Sequence, residues 1–270
     1  MRALLELIRA PAALSVPGDT MAGAAAAGLP ARPGPALAST LLYWAGMALN
    51  DWSDRHQDAL DRPERPIPSG RISPAMALAT AAGCTGAGLL AALAADGRRG
   101  LGLAGLLAGA VWAYDLGLKR TPWGPAAMAA CRALDVMLGA GGAARAVPTA
   151  LAIGAHTYGI SVLGRAEVKG ATPSTVSGAL AACATAAALL AWTCPGAPLA
   201  GYLATVARAQ AGLRAHPDPE HVRRAVRLSI MALVPLQAAA VAGHGRPAQS
   251  VALLAAAPFG GWLSRWVATS

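Results

Sequence analysis

Runs of alanine, glycine and leucine, broken only by short stretches of proline, glycine or charge, follow one another along the whole of this chain. Ten such runs are legible, near residues 12–28, 36–50, 74–95, 100–116, 123–143, 147–164, 173–192, 198–213, 225–243 and 248–267. A helix needs roughly 20 predominantly apolar residues to cross the hydrocarbon layer of a bilayer. Nothing in the sequence alternates apolar with polar residues at the period of a strand. The chain is expected to be all-α, a polytopic transmembrane helix bundle of about nine helices drawn from ten candidate spans, in one domain over residues 1–270. The run at 198–213 is the weakest candidate, because it holds Arg208 and Gln210.

Composition agrees and excludes the competing classes. Of 270 residues, 55% are hydrophobic and only 13% charged, where a soluble domain carries about a quarter charged residues. Disorder requires the opposite balance of charge and hydropathy. The charge that remains is lopsided, with 22 Lys and Arg against 13 Asp and Glu. A nucleic-acid partner would need those bases gathered into one patch, and here they are scattered through the gaps between apolar runs, so no nucleic acid is expected. Counted over alternating gaps, fifteen fall on one side, among them Arg9, Arg65, Arg71, Lys119, Arg120, Arg165 and Lys169. Five fall on the other, namely Arg32, Arg98, Arg99, Arg145 and Arg246. The positive-inside rule makes the richer side cytoplasmic, which predicts a multi-pass protein of the cytoplasmic membrane. Cys84, Cys131, Cys183 and Cys194 form no CxxC pair and read as small buried residues. The N-terminus imitates a signal peptide, but Pro11, Pro17, Gly18 and Asp19 interrupt its apolar stretch, so an interfacial lead-in before the first span is expected.

Five of the 13 acids fall within 14 residues: Asp51, Asp54, Asp58, Asp61 and Glu64. If the second apolar run continues as helix past Asn50, then Asp51, Asp54 and Asp58 recur at i, i+3 and i+7 on one face. Like charges so spaced repel, and the face requires a compensating cation. Hard oxygen ligands suit Mg²⁺, which takes one or two protein carboxylates, waters and phosphate oxygens. The alternative is a solvated loop whose acids pair with Arg55, Arg62 and Arg65. Helical spacing, and the prolines at 63, 66 and 68 that fix the following path, favour the first reading.

Asn50-Asp51-x-x-Asp54-x-x-x-Asp58 resembles the first aspartate-rich motif of the UbiA superfamily of intramembrane prenyltransferases. The stretch Arg65-Pro66-Ile67-Pro68-Ser69-Gly70-Arg71-Ile72-Ser73 resembles the segment that follows it in that family. Tyr114-Asp115-Leu116-Gly117-Leu118-Lys119-Arg120 resembles the family's tyrosine–lysine motif at the end of the fourth helix. Residues 130–140 are similar to a bacterial branch linked with secondary metabolism (EboC-like). The resemblance implies a helical bundle around a cavity open to lipid. It also implies transfer of a prenyl group from an isoprenoid diphosphate to an acceptor, often aromatic, with Mg²⁺ as cofactor. In that reading Asp51, Asp54 and Asp58 form the metal face, with Lys119 beside them as a further catalytic group. Asn50, Arg65, Arg71, Arg120, Arg165 and Lys169 contact diphosphate, on the cytoplasmic side.

The family's second aspartate motif is degenerate here. Between Tyr158 and Gly170 the only acid is Glu167, flanked by Arg165 and Lys169. Either Glu167 is a lone metal ligand from that side, with the two bases holding diphosphate directly, or ionisation no longer depends on metal; the first is expected. A non-catalytic prenyl-lipid-binding or transport protein that kept the fold is the competing function. A CDP-alcohol phosphotransferase is disfavoured because no DGxxAR run is present. Within the spans, Arg132 and Asp135 stand at i, i+3 and are candidates to pair with each other, Asp19 to line the cavity, and His156 and Tyr158 to touch acceptor or diphosphate.

Overall fold

The computed structural model describes residues 2–9, 16–194 and 196–256; parts of the candidate spans at 12–28 and 248–267 lie outside them. Among the described residues there is no strand. The helices are α1 (Arg2–Leu7), α2 (Pro17–Ala26), α3 (Pro33–Asp61), α4 (Pro74–Leu116), α5 (Gly124–Gly139), α6 (Val147–Gly164), α7 (Pro173–Ala191), α8 (Ala197–Ala215) and α9 (Pro219–Gly243), followed by α10 (Pro247–Ala256). Each of α2 to α9 has proline in its first turn, where the missing N–H costs no intrahelical bond and φ is already helical. Ser73, Thr172 and Asp218 cap the N-termini of α4, α7 and α9 with side-chain oxygens.

Helix α4 is 43 residues long, which unbroken would reach ~65 Å, twice a bilayer core. It breaks at Asp96 (φ −135°, ψ 17°) and Gly97 (φ 61°, ψ −147°), a backbone that favours glycine at the second position. The chain therefore turns back there, and the runs at 74–95 and 100–116 become two crossings. Among the described residues, four segments are long and apolar enough to span by length and composition alone: Pro74–Leu116, Ala144–Gly164, Pro173–Ala191 and Pro219–Gly243. Leu90, Leu106, Leu151, Ile230 and Met231 point outward and are exposed. In water such a surface would be an aggregation hazard; against lipid tails it is the required solvent match.

Small residues set the helix contacts. A Cβ at Gly23 of α2 would collide with the carbonyl oxygen of Val136 on α5, and one at Gly139 with the backbone of Thr20. Backbones this close are what van der Waals association in a membrane exploits. The approach brings Asp19 of α2, wholly buried, against α5, where Arg132 Nε lies 2.8 Å from its Oδ2. Gln237 of α9 donates to Asp19 Oδ1 at 2.6 Å. Arg132 thus binds across to α2 instead of pairing with Asp135 along its own helix. The reason is geometric: the glycine crossing places a second acid nearer to the guanidinium.

His156 and Tyr158 also separate. His156 is fully buried; its Nε2–H donates to the Ser229 carbonyl at 3.0 Å. Its Nδ1 lies 3.1 Å from the Tyr202 hydroxyl, which donates to the Cys183 carbonyl at 3.2 Å. The ring cross-links α6, α8 and α9 and is packed away from the aspartates, while Tyr158 is exposed.

Overpacking a close crossing costs about 1–3 kcal/mol. Gly23→Ala is accordingly expected to lower the thermal unfolding midpoint by several degrees. Gly105→Ala, where an added Cβ meets nothing within 4 Å, should leave it unchanged or raised. Equal midpoints for the two variants in detergent would contradict the α2–α5 contact.

Candidate active site

Helix α3 does not stop with its apolar run; it continues through the acids to Asp61. The polar segment is therefore helical, as its spacing predicts. Asp51 and Asp58 are 4% and 5% exposed, and buried carboxylates demand countercharge. Asn50 and Asp54 lie one turn apart and turn toward the end of α4, whereas Asp51 and Asp58 turn toward the N-terminal lead-in and the loop after α3.

Toward the loop, Arg65 Nη1 donates to Asp58 Oδ2 at 2.6 Å and lies 3.4 Å from Asp51 Oδ1. Arg9, just after α1, adds its Nη2 at 3.2 Å from the same Asp51 oxygen. The loop reaches this position through a compact fold: Ile72 N–H bonds to the Pro66 carbonyl at 2.9 Å, Gly70 turns at φ 73°, and Ile67 and Ile72 are buried beneath it.

Toward α4, Lys119 Nζ lies 2.8 Å from Asp54 Oδ2, and Arg120 Nη2 lies 3.0 Å from Asp54 Oδ1. Both bases stand on a single 3₁₀ turn, Leu118–Arg120, that closes α4. Asp115, 4% exposed, accepts from Asn50 Nδ2 at 3.0 Å and lies 3.8 Å from Lys119 Nζ. Ser53 Oγ donates to the Asp115 carbonyl at 2.8 Å, stitching the two helices together at this level. Arg165, from the α6–α7 loop, donates to the carbonyls of Thr121 and Lys119, which brings that loop to the rim.

The structure thus gathers Asn50, Asp51, Asp54, Asp58, Arg65, Lys119 and Arg120 at one end of the bundle, with Arg165 at its edge. Arg71 sits outside the group, pairing with Glu6 through Nη1 at 2.5 Å and Nη2 at 2.9 Å. Among the described residues Glu167 and Lys169 make no contact with the aspartates; the Glu167 carbonyl instead accepts from Arg223 at 3.2 Å. The alternative pairing of the acids with Arg55, Arg62 and Arg65 holds only for Arg65, since Arg55 folds back over the Trp52 ring at 4.6 Å.

Two contributors escaped sequence reasoning. Asp115 carried a signal, an acid inside an apolar run with Lys119 four residues on. Arg9 carried none, because its partner lies 42 residues away.

A divalent cation is testable against this donor set. Among the described residues no three acid, histidine or cysteine side chains converge as a ready cage. Mg²⁺ needs only one or two protein carboxylates when phosphate oxygens and water complete its shell. The two carboxylate pairs here, Asp51 with Asp58 and Asp54 with Asp115, are each bridged by one side-chain cation. Their oxygen chemistry fits the ion.

At one end of an apolar, membrane-type bundle the fold thus holds carboxylates, lysine and arginine together in ion pairs. The UbiA prenyltransferase family model matches residues 18–269, and the chain belongs to that family. Digeranylgeranylglyceryl phosphate synthase of Methanopyrus kandleri is 39% identical over 126 residues, covering 45% of this chain and 46% of that protein. The bacteriochlorophyll synthase 33 kDa chain of Cereibacter sphaeroides is 39% identical over 102 residues, covering 36% and 33%. The chain so spans less than half the length of these curated relatives. Their names are those of lipid- and pigment-forming synthases. The apo structure of a UbiA homolog from Aeropyrum pernix K1 superposes with TM-score 0.68 at 20% identity, covering 86% of this chain and 97% of the other. A structure concerning digeranylgeranylglyceryl phosphate synthase in membranes gives TM-score 0.67 at 18% identity, covering 90% and 97%. At such identities the likeness shows the fold.

Asp115→Ala removes the acceptor for Asn50 and one countercharge of Lys119, a loss of about 1–3 kcal/mol. A lower unfolding midpoint is expected by tryptophan fluorescence, with Asp115→Asn recovering part of it. An unshifted midpoint in the alanine variant would remove Asp115 from the network.

Proposed function

We propose that this chain transfers a prenyl group from an isoprenoid diphosphate to an acceptor presented in the membrane, with Mg²⁺ as cofactor. The observation that carries the reading is the meeting of Asp54 from α3 with Lys119 and Arg120 from the end of α4, at the polar end of an apolar bundle. Diphosphate is the ligand that acids and bases held together suit, because it needs both direct cationic contacts and a divalent ion.

Asp51, Asp54 and Asp58 would hold the ion, with Asp115 in reach of Asp54's partner Lys119 and Glu167 the one acid on the α6–α7 loop. When bound, Mg²⁺ would supply Lewis-acid neutralisation of the departing diphosphate. Lys119 and Arg120 donate to phosphate oxygens as charge develops on them when the allylic C–O bond breaks. Arg65 and Arg9 are forks suited to bidentate phosphate contact, and Arg165 stands at the rim on the second loop. Asn50, held by Asp115, orients the α3 face toward α4. The apolar interior keeps water from the allylic cation until the acceptor attacks it. The fifteen-to-five distribution of bases supports a cytoplasmic membrane location with the site on the cytoplasmic side.

The single acid on the α6–α7 loop favours one other reading, prenyl-lipid binding without turnover. Purified protein incubated with radiolabelled prenyl diphosphates of several lengths, Mg²⁺ and a membrane lipid extract as the source of acceptor separates the two. Diphosphate release is expected with wild type, abolished by chelator and reduced by about 10²–10³ in Asp54→Ala and Lys119→Met. Binding without release would favour the non-catalytic reading, and neither binding nor release would overturn both.

A further inference from the structure

The five bases on the poorer side of the chain are not scattered. Arg32, Arg99 and Arg145 line one cavity of about 390 Å³ at the end of the bundle opposite the aspartates. Three chain reversals build its walls: the turn before α3, the break in α4 and the turn after α5. Gly28, Gly97, Gly141 and Gly142 take positive φ in these reversals, which lets the three backbones draw together. Leu29 and Ala143 give the cavity an apolar flank.

Its charge is not balanced. Arg32 pairs with Asp96 through Nη1 and, at 3.1 Å, Nη2, and among the described residues Asp96 is the only acid lining the space. Arg32 Nε is buried without a hydrogen-bond partner. Arg99 Nη2 donates to the Gly142 carbonyl at 3.0 Å, which satisfies a donor and leaves the charge. Arg145 makes no ion pair or side-chain hydrogen bond to a described residue; its Nη2 lies over Gly28, where an added Cβ would come within 3.2 Å. Three guanidinium groups against one carboxylate leave two formal positive charges around a space large enough for several waters. Bases are disfavoured in loops on this side of a membrane, so gathering three around one cavity calls for an anionic occupant.

We propose that this cavity binds the phosphate group of an anionic phospholipid from the leaflet opposite the aspartate site. Guanidinium forks match phosphate oxygens. The apolar flank suits the glycerol and acyl carbons next to a lipid phosphate, which free phosphate would leave uncovered. The site is independent of the prenyl-transfer reading, since no residue is shared between the two ends.

The test measures lipid retention by native mass spectrometry on full-length protein, with phosphatidylglycerol, phosphatidylcholine and inorganic phosphate as probes. Wild type is expected to retain phosphatidylglycerol over phosphatidylcholine, and Arg145→Gln to reduce that preference about tenfold, as loss of one charged hydrogen-bonding group predicts. Arg246→Gln, at the same end and outside the cavity, should retain the wild-type preference. Thermal protection by inorganic phosphate alone, lost in Arg145→Gln and without any phosphatidylglycerol preference, would overturn the lipid in favour of a soluble anion. Identical retention by wild type, Arg145→Gln and Arg246→Gln would overturn the site altogether.

Discussion

A carboxylate beside hydrocarbon persists only with a countercharge or hydrogen bonds to replace water, and the placement of α1 to α5 and α9 follows from that requirement. Asp19 ties α2 to α5 and α9 through Arg132 and Gln237. Asp96 ties the break in α4 to the start of α3 through Arg32. Asp54 and Asp115 tie the end of α3 to the end of α4 through Lys119. Asp51 and Asp58 hold the loop after α3 through Arg65, and Asp51 and Glu6 hold the N-terminal lead-in through Arg9 and Arg71. Apolar packing of small side chains allows these helices to approach; it does not choose which approach, because one alanine-lined face resembles another. The ion pairs supply the registration.

The same requirement explains what could be read from the sequence. Over the described residues, the apolar runs map onto helices or half-helices because the cost of exposing backbone polar groups to lipid forces that outcome wherever a run is long enough. The run ending at Asn50 is continued by eleven further residues of helix, eight of them polar, legible from the i, i+3, i+7 spacing of its acids. The break between 95 and 100 was legible as two spans, though Gly97's positive φ, which lets them form one reversing helix, was not. Local pairing was misread where a tertiary partner outbid a neighbour: Arg132 has Asp135 one turn away, yet binds Asp19, 113 positions earlier in the chain. Periodicity reports what shares a face, and it is silent about which face another helix will bring.

The candidate site shows the limit more sharply. Asp51, Asp54 and Asp58 share a face, but they are served by different cations from different elements, Arg9 and Arg65 on one flank, Lys119 and Arg120 on the other. Residue type and spacing identified the acids. Only the fold shows that Arg71 is spent on Glu6 and that Arg165 acts through backbone carbonyls at the rim. Asp115 is the instructive omission, for its position inside an apolar run was itself the sign of a paired, buried role.

This arrangement has a consequence for how a prenyl diphosphate would be received. Acids clustered without substrate would repel one another and splay the end of α3 away from α4. Arginine and lysine neutralise them in place, so the acidic face is formed before any ligand arrives. The cations that do so are long, flexible side chains with several donors each, and Arg9 and Arg120 are partly or largely exposed. They can turn from carboxylate to phosphate oxygen without moving the backbone that carries them. A rigid apolar clasp would have to open to admit the substrate; an ionic one needs only to exchange partners, with charge compensated throughout. On the proposed function, that is the physical reason for an acid-and-base lip, in place of a purely acidic or purely basic one, at the end of an apolar bundle.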